Sequence, residues 1–385
     1  MKNGWQRKQI RDLCEVIAGQ SPEGKFYNAD GEGMPFYQGK KDFGDRFITA
    51  PTTWTTQTTK VAQEGDILMS VRAPVGPINF ATGEVCIGRG LAAIRCGSEL
   101  NRDFLFYQLL HLQPDIAGKE GAVFASINKS EIEALPLAFS PLSEQQRIVG
   151  ILDEAFEGIA IAKANTEKNL QNARALFESH LQSVFTQRDE GWQRKQIGEV
   201  CEIVNGGTPK TGIEEYWGGK NLWITPAEMG KRATPYVDQT ERTITDDGLR
   251  NSSASLLPPY SVILSSRAPI GHLVINTQPM ATNQGCKGLV PSKQLEYKYL
   301  YHYLNSIVGI LNDLGTGATF KELSGGKLKE VLIPVPPLPE QQRIVVELDS
   351  LRQETQGLES IYRQKLTALD ELKKSLLHQA FSGEL

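Results

Sequence analysis

The chain is poor in cysteine, and none of its five (Cys14, Cys86, Cys96, Cys201, Cys286) stands in a CxxC pair. Neither a disulfide framework nor a zinc cluster is expected, and the thiols are read as buried and reduced. No run of eighteen apolar residues occurs, and the opening MKNGWQRKQIRDL lacks the apolar stretch of a signal peptide. That sets aside the membrane and secreted classes and leaves the cytoplasm as the expected location. A basic excess is missing too, since 41 Lys and Arg stand against 45 Asp and Glu, a formal charge of −4. Most proteins that hold duplex DNA alone carry such an excess. Residues 1–140 carry 15 cationic and 16 anionic side chains, 141–190 carry 5 and 8, 191–336 carry 15 and 13, and 337–385 carry 6 and 8. The acidity therefore sits in two short segments, and any polyanion contact by the near-neutral long ones must come from local patches or a partner subunit. What is present, 385 residues with 40% hydrophobic and 22% charged, is a folded chain of two or three domains.

The chain repeats itself. The hexapeptide WQRKQI at residues 5–10 returns letter for letter at 192–197, an offset of 187. ILMSVRAPVG at 67–76 and VILSSRAPIG at 262–271 stand 195 apart. PLSEQQRIVGILD from Pro141 and PLPEQQRIVVELD from Pro337 stand 196 apart, as do Phe185 and Phe381. Four anchors in one order mean a tandem duplication, each copy about half the chain. The growth in offset places a net insertion of eight residues in the second copy, where 36–60 and 222–255 share little but their flanks. A repeated frame with two different middles suits a protein that reads two different things in one geometry.

Each copy begins with a Gly-, Pro-, Thr- and aromatic-rich stretch in which short apolar runs, 66–71 and 261–266, alternate with turn residues, which predicts strands. Helical candidates at 102–112 and 297–311 make each lobe mixed α+β around a sheet core. After a proline-rich entry, each copy then runs from about 144 to 185 or 340 to 381 with no internal proline, which predicts two long helices. Ser143 with Gln146 fits a capping box, and Pro339 suits a first helical turn. A 4,3 spacing through Ile148, Leu152, Ala155, Ile159, Ala162, Leu170, Ala173, Phe177, Leu181 and Val184 predicts a coiled-coil seam, matched by Ile344, Leu348, Leu351, Leu358, Tyr362, Leu366, Leu369, Leu372, Leu376 and Ala380. Such stripes need a partner helix. The expected partner is the other long helix of the same chain, antiparallel about a pseudo-twofold axis with a lobe at each end. Homodimerisation through the same stripes is the alternative. The boundaries expected are 1–140, 141–190, 191–336 and 337–385.

Catalytic motifs are missing. Leu257-Pro-Pro-Tyr260 resembles the PPY of amino-methyltransferases, but Leu257 stands where Asn, Asp or Ser should hold the target amino group. Neither Gly39-Lys40-Lys41 nor Gly325-Gly326-Lys327 has the glycine spacing or Ser/Thr of a phosphate loop. His111, His180, His272, His302 and His378 form no ligand or base spacing. No catalytic residue, metal or cofactor is expected. The divergent middles instead hold side chains suited to base edges, with Lys40, Lys41, Arg46 and Gln57 in the first and Lys231, Arg232, Arg242 and Asn251 in the second. For any single one of them a solvated loop face is the competing and plainer reading. Trp54 could stack or wedge, or anchor a loop. Arg72 and Arg267 occupy equivalent places and so serve a shared purpose, either a phosphate contact or an internal bond holding the Ala-Pro turn. Gly76 and Gly271 are expected to permit that turn.

Two copies, each ending in P-L-x-E-Q-Q-R-I-V and a long helix, resemble the DNA-specificity subunit of type I restriction-modification systems over essentially the whole chain. The resemblance implies two target recognition domains, 1–140 and 191–336, each reading one half of a bipartite asymmetric site in double-stranded DNA. It implies spacer helices in 141–190 and 337–385 that fix the gap and carry much of the partner-binding surface. It further implies a subunit that is not itself an enzyme. Two modification subunits would supply S-adenosylmethionine and adenine methylation, and restriction subunits ATP-driven restriction. Such neighbours would also supply the phosphate clamp that a chain of −4 lacks. The rival reading is a non-enzymatic scaffold whose lobes bind protein and whose helices serve only oligomerisation.

Overall fold

Ile67–Ser70 and Val262–Ser266 are buried strands, and each is the centre of an equivalent antiparallel sheet. A computed structural model describes residues 4–117, 126–186, 192–267, 269–317 and 321–385. In the first copy the strand order is Cys14–Ala18, Leu91–Cys96, Ile67–Ser70, Ile78–Phe80. In the second it is Cys201–Asn205, Cys286–Pro291, Val262–Ser266, Ile270–Asn276, with Tyr236–Val237 added in parallel at the edge. The central runs are buried throughout and apolar but for their closing serines because both faces are covered. Ile67 and Met69 enter one core while Leu68, on the other face, enters a second, and Val262 and Leu264 divide from Ile263 in the same way. The return after each strand needs a left-handed residue, and Gly76 (φ 106°) in the turn and Gly271 (φ 115°) at the start of the next strand supply it.

A second sheet in each lobe starts from the same parallel pair, Met34–Tyr37 with Val85–Ile87 and Trp217–Ile224 with Met280–Thr282. Around that pair the two copies build different edges. The first copy adds Trp54–Thr55, Tyr27–Asn28 and Val61–Ala62, and the second adds Arg242–Ile244.

Each copy is completed by four further elements, the last of them its long helix. In the first copy they are strand β1 (Gln6–Gln9), helix α1 (Arg102–Ala117), strand β2 (Pro136–Phe139) and helix α2 (Leu142–Thr186). Their counterparts are strand β3 (Gln193–Gln196), helix α3 (Tyr297–Ser306), strand β4 (Leu332–Val335) and helix α4 (Leu338–Ser382). The single helix expected over 297–311 is broken at Ile307, with Val308–Leu314 forming a separate helix. β1 pairs with β2, and β3 with β4, as two-stranded antiparallel ribbons. The long helices begin two residues earlier than expected. Pro141 O already accepts the first helical bonds, from Glu144 N at 2.9 Å and Gln145 N at 3.0 Å, so Ser143 lies within the first turn and makes no capping box. Pro339 does fall in the first turn of α4.

The chain divides into two compact units that cut across the sequential boundaries, Met1–Glu167 with Gln364–Leu385 and Lys168–Arg363. The expected boundary at 190/191 lies outside the described residues. In the first unit Lys163 pairs with Asp370 at 2.7 Å and Arg147 donates to Leu385 O at 2.9 Å. In the second Arg174 pairs with Glu359 at 2.9 Å and His180 with Glu347 at 2.8 Å. Rising numbers on α2 meet falling numbers on α4 in both units, so the two helices of one chain are antiparallel partners.

The start of α2 (Ile148, Leu152) and the end of α4 (Leu377, Ala380) enter the core of the first unit, while the start of α4 (Ile344, Leu348) and the end of α2 (Leu181, Phe185) enter that of the second. Phe381 meets Phe104 edge-on at 5.3 Å, and Phe185 meets Tyr299 and Tyr303 at 5.3 Å each, which accounts for their recurrence. The α2 stripe is inward as expected, and the gap between Ala162 and Leu170 is filled by buried Thr166, whose hydroxyl donates to Ala162 O. The α4 stripe needs correction, because Leu358 and Leu372 are 40% and 46% exposed while Thr355 and Leu377 turn inward. A helix of 3.6 residues per turn drifts from a strict heptad, and α4 follows the drift. Each helix has 45 residues and is about 67 Å long. Among the described residues no helix is long and apolar enough to cross a membrane.

Candidate functional site

The repeated E-Q-Q-R motif is a clasp between each long helix and its lobe. Gln145 is fully buried, donating to Ser140 O (2.7 Å) and Glu99 O (3.1 Å) and accepting from Asn101 N (2.7 Å). Gln341 repeats the pattern, donating to Pro336 O (2.8 Å) and Gln294 O (2.9 Å) and accepting from Glu296 N (2.9 Å). A glutamine can do this because its amide both donates and accepts. Glu144 with Arg147, and Glu340 with Arg343, form bidentate pairs on the outer face of the same turn.

Eight residues beyond each glutamine stands a second tie. Asp153 accepts from Arg46 at 2.9 Å and from Tyr107, whose hydroxyl is pushed up by burial and by this acceptor. Asp349, its counterpart, accepts from Lys298 at 2.8 Å and His302 at 2.9 Å. Burial of Asp349 acts to raise its carboxyl, but the bonds from His302 and Lys298 outweigh it and hold the group at about 2. A carboxylate depressed below its ordinary value stabilises the fold above that value and ceases to do so as pH falls through the depressed one. Asp349→Asn is therefore expected to destabilise the second unit at pH 7 by about 1 kcal/mol, a partly exposed pair being screened by water. In urea titrations the difference from the unsubstituted chain should shrink between pH 4 and pH 2, and a difference constant over that range would remove the assignment.

Arg46 is locked between its lobe and α2, held by Asp103 at 2.7 Å as well as Asp153, with its guanidinium over the rings of Phe106 and Tyr107. Arg232 is likewise engaged by Glu228 at 2.7 Å and by Gln239 O. Lys40 and Lys41 are exposed together on the short turn Lys40–Asp42, with Lys41 4.0 Å from Asp42. Gln57 is exposed, and Trp54 is half-buried between two short neighbouring strands. In the second lobe Lys231 is exposed and pairs with Glu241 at 3.3 Å. Next to that glutamate in sequence, Arg242 is exposed and lies over the Trp217 ring at 3.7 Å, a geometry that holds a guanidinium flat. Asn251 donates to Asp247 O at the end of a short helix. Arg72 is exposed and Arg267 half-buried, and each makes a strand-like bridge to an equivalent partner, Ser126 and Glu322. Arg267 adds an ion pair with Glu322 at 3.8 Å, an internal bond at that turn.

Leu257, at the head of the Pro-Pro-Tyr segment, is buried and bridges Met280, so the segment serves as a sheet edge. Among the described residues no group of three or more His, Cys, Asp or Glu could hold a metal ion. Residue type alone does not single out Gln145, Asp153 and their counterparts. Their signal is the motif itself, whose polar letters recur at an offset of 196 beside buried isoleucines.

The family described as the type I restriction modification DNA specificity domain matches residues 2–172 and 189–368. The type I restriction enzyme MjaIX specificity subunit of Methanocaldococcus jannaschii is 39% identical over 159 residues, which are 41% of this chain and 37% of that protein. The chain thus spans well under half the length of that curated relative. A chain from a structure concerned with complex assembly and conformational transition of the type I R-M system superposes with a TM-score of 0.85 at 22% identity, covering 100% of this chain and 99% of the other. The HsdS subunit from Thermoanaerobacter tengcongensis gives 0.66 at 21% identity, covering 100% and 98%.

Proposed function

We propose, from the premise that this chain belongs to the type I restriction-modification DNA specificity family, that it selects the DNA site for such a system and performs no chemistry itself. Each lobe reads one half of a bipartite asymmetric site in double-stranded DNA, α2 and α4 set the gap between halves, and the system acts in the cytoplasm. Two modification subunits bring adenine methylation, and ATP-driven restriction subunits complete the assembly. The observation that carries this reading is a duplicated frame, with its strand order, glutamine clasp and aromatic helix end kept, bearing two unlike middles that each hold exposed cations, Lys40 and Lys41 in one and Lys231 and Arg242 in the other.

Lys40, Lys41 and Gln57 are the base-reading candidates of the first lobe, and Lys231, Arg242 and Asn251 those of the second. Trp54 is the stacking candidate, Arg72 and Arg267 are phosphate candidates, and Arg46 and Arg232 position the loops that carry their neighbours. Arg242 leads, because the indole beneath it fixes its plane before DNA arrives. Arg242→Ala should relax one position of one half-site, at about 1–3 kcal/mol for a lost bidentate contact. Methylation-motif sequencing of cells expressing the variant with its modification subunit measures this. A change in both half-sites, or in neither, would count against a base-reading role.

A further inference from the structure

The structure holds two cavities that are counterparts under the duplication. One, of about 370 Å³, lies in the first unit among β1, α1, β2 and the end of α4, with Trp5, Arg7, His111, Pro136 and Phe381 on its walls. The other, of about 390 Å³, lies in the second unit among β3, α3, β4 and the end of α2, with Arg194, Ser306, Leu332 and Phe185 in the matching places. Arg7 and Arg194 are 187 apart, His111 and Ser306 195, and the phenylalanines 196, the offsets of the repeat itself.

What marks these cavities is the surface beside them. Gln6, Arg7 and Gln9 are exposed, as are Gln193, Arg194 and Gln196, and the two sets are identical. Ribbon stability does not demand this. The paired strands, Pro136-Leu-Ala-Phe139 in β2 and Leu332-Ile-Pro-Val335 in β4, have no identical pair in register, yet both ribbons form with the same register. Core packing accounts for Trp5 and Trp192 and for the buried Ile10 and Ile197, and the capping boxes of the short helices that follow account for Gln9 and Gln196, which leaves Gln6 and Arg7 with Gln193 and Arg194. Exposed polar residues that stay alike while the strands beneath them diverge answer to something outside the chain. Since the two lobes differ in what they grip, that partner must be the same at both places.

The chemistry of the cavity narrows the partner. Its walls combine apolar and aromatic side chains with polar ones, Gln108 and His111 in the first unit and Gln182 and Ser306 in the second, where Leu332 and Ile310 lie on them 48% and 56% exposed. Each cavity also has one guanidinium that the duplication kept, Arg7 or Arg194. A hollow with a mixed apolar and polar wall and a single guanidinium fits a protein side chain next to a carboxylate better than a fully charged phosphate backbone. We propose that the two cavities are twin docking sockets, each receiving an apolar side chain flanked by a carboxylate from one of two identical modification subunits. The inference rests on the function proposed above and gives that partnership a place.

The test uses the full chain with the adenine methyltransferase subunit of its own system, and native mass spectrometry to count copies. The unsubstituted chain should gather two. Arg7→Glu and Arg194→Glu should each leave one, and the double variant none, with at least tenfold weaker binding at the altered socket. Because a charge reversal could disturb the ribbon, His111→Trp and Ser306→Trp plug the cavities from α1 and α3 with β1 and β3 untouched, and should give the same counts. Should the unsubstituted chain gather no methyltransferase, the proposed function itself fails. Two copies held undiminished by every variant would overturn the sockets alone. Variants that keep both copies but lose affinity for a labelled duplex would also overturn them, assigning the arginines to phosphate.

Discussion

Excising seven residues from each long helix should shorten the gap between the two half-sites by about three base pairs and leave the half-sites themselves unaltered. The segments to remove lie in 164–173 of α2 and 360–369 of α4, between the Lys163–Asp370 and Arg174–Glu359 pairs. Seven residues are close to two full turns, so the rest of each helix keeps its face toward the partner helix while each rod loses about 10 Å. At about 3.4 Å per base pair that is three pairs. Taking out five residues instead turns the remainder by roughly 140° and drags seam residues such as Ala173 and Leu181 into water, so recognition should be lost altogether. Methylome sequencing reports gap and half-sites in one experiment. An unaltered gap after the seven-residue excision, with activity kept, would deny the helices their spacing role.

The second large effect concerns the clasp. Gln145→Leu should lower the stability of the first unit by about 3 kcal/mol, since three backbone groups, Asn101 N–H and the carbonyls of Glu99 and Ser140, lose their partner where water enters poorly. That is a sizeable share of the roughly 5–15 kcal/mol that holds a domain. Amide exchange around residues 97–101 and 136–141 should quicken. Gln341→Leu should act in the same way on the second unit, through Glu296, Gln294 and Pro336. Calorimetry of the two variants beside the unsubstituted chain is the check, and a melting profile indifferent to both would mean that the clasp is dispensable.

Arg46 shows where residue type stops being informative. From the sequence it stands with Lys40 and Lys41 as one more cation in a divergent loop. In the fold its guanidinium is surrounded by Asp103, Asp153 and two aromatic rings, the carboxylates brought in from 57 and 107 positions away. Lys40 and Lys41, a few residues earlier, remain in water. Arg242 shows the reverse, because only the fold reveals that Trp217, from another strand, lies beneath it. Partners so far apart in the chain leave no local pattern.

The duplication, the two long helices and the absence of catalytic motifs were all determined by the sequence alone. Repetition and helical period are properties of a one-dimensional string, and a missing Asn ahead of Pro-Pro-Tyr is missing in any fold. Only the tertiary structure decided which cations are free to meet a ligand, which leucines of α4 leave the seam, and why the motif glutamine recurs. Those answers depend on side chains drawn together across dozens to hundreds of residues, and on a helical drift too small to read from spacing.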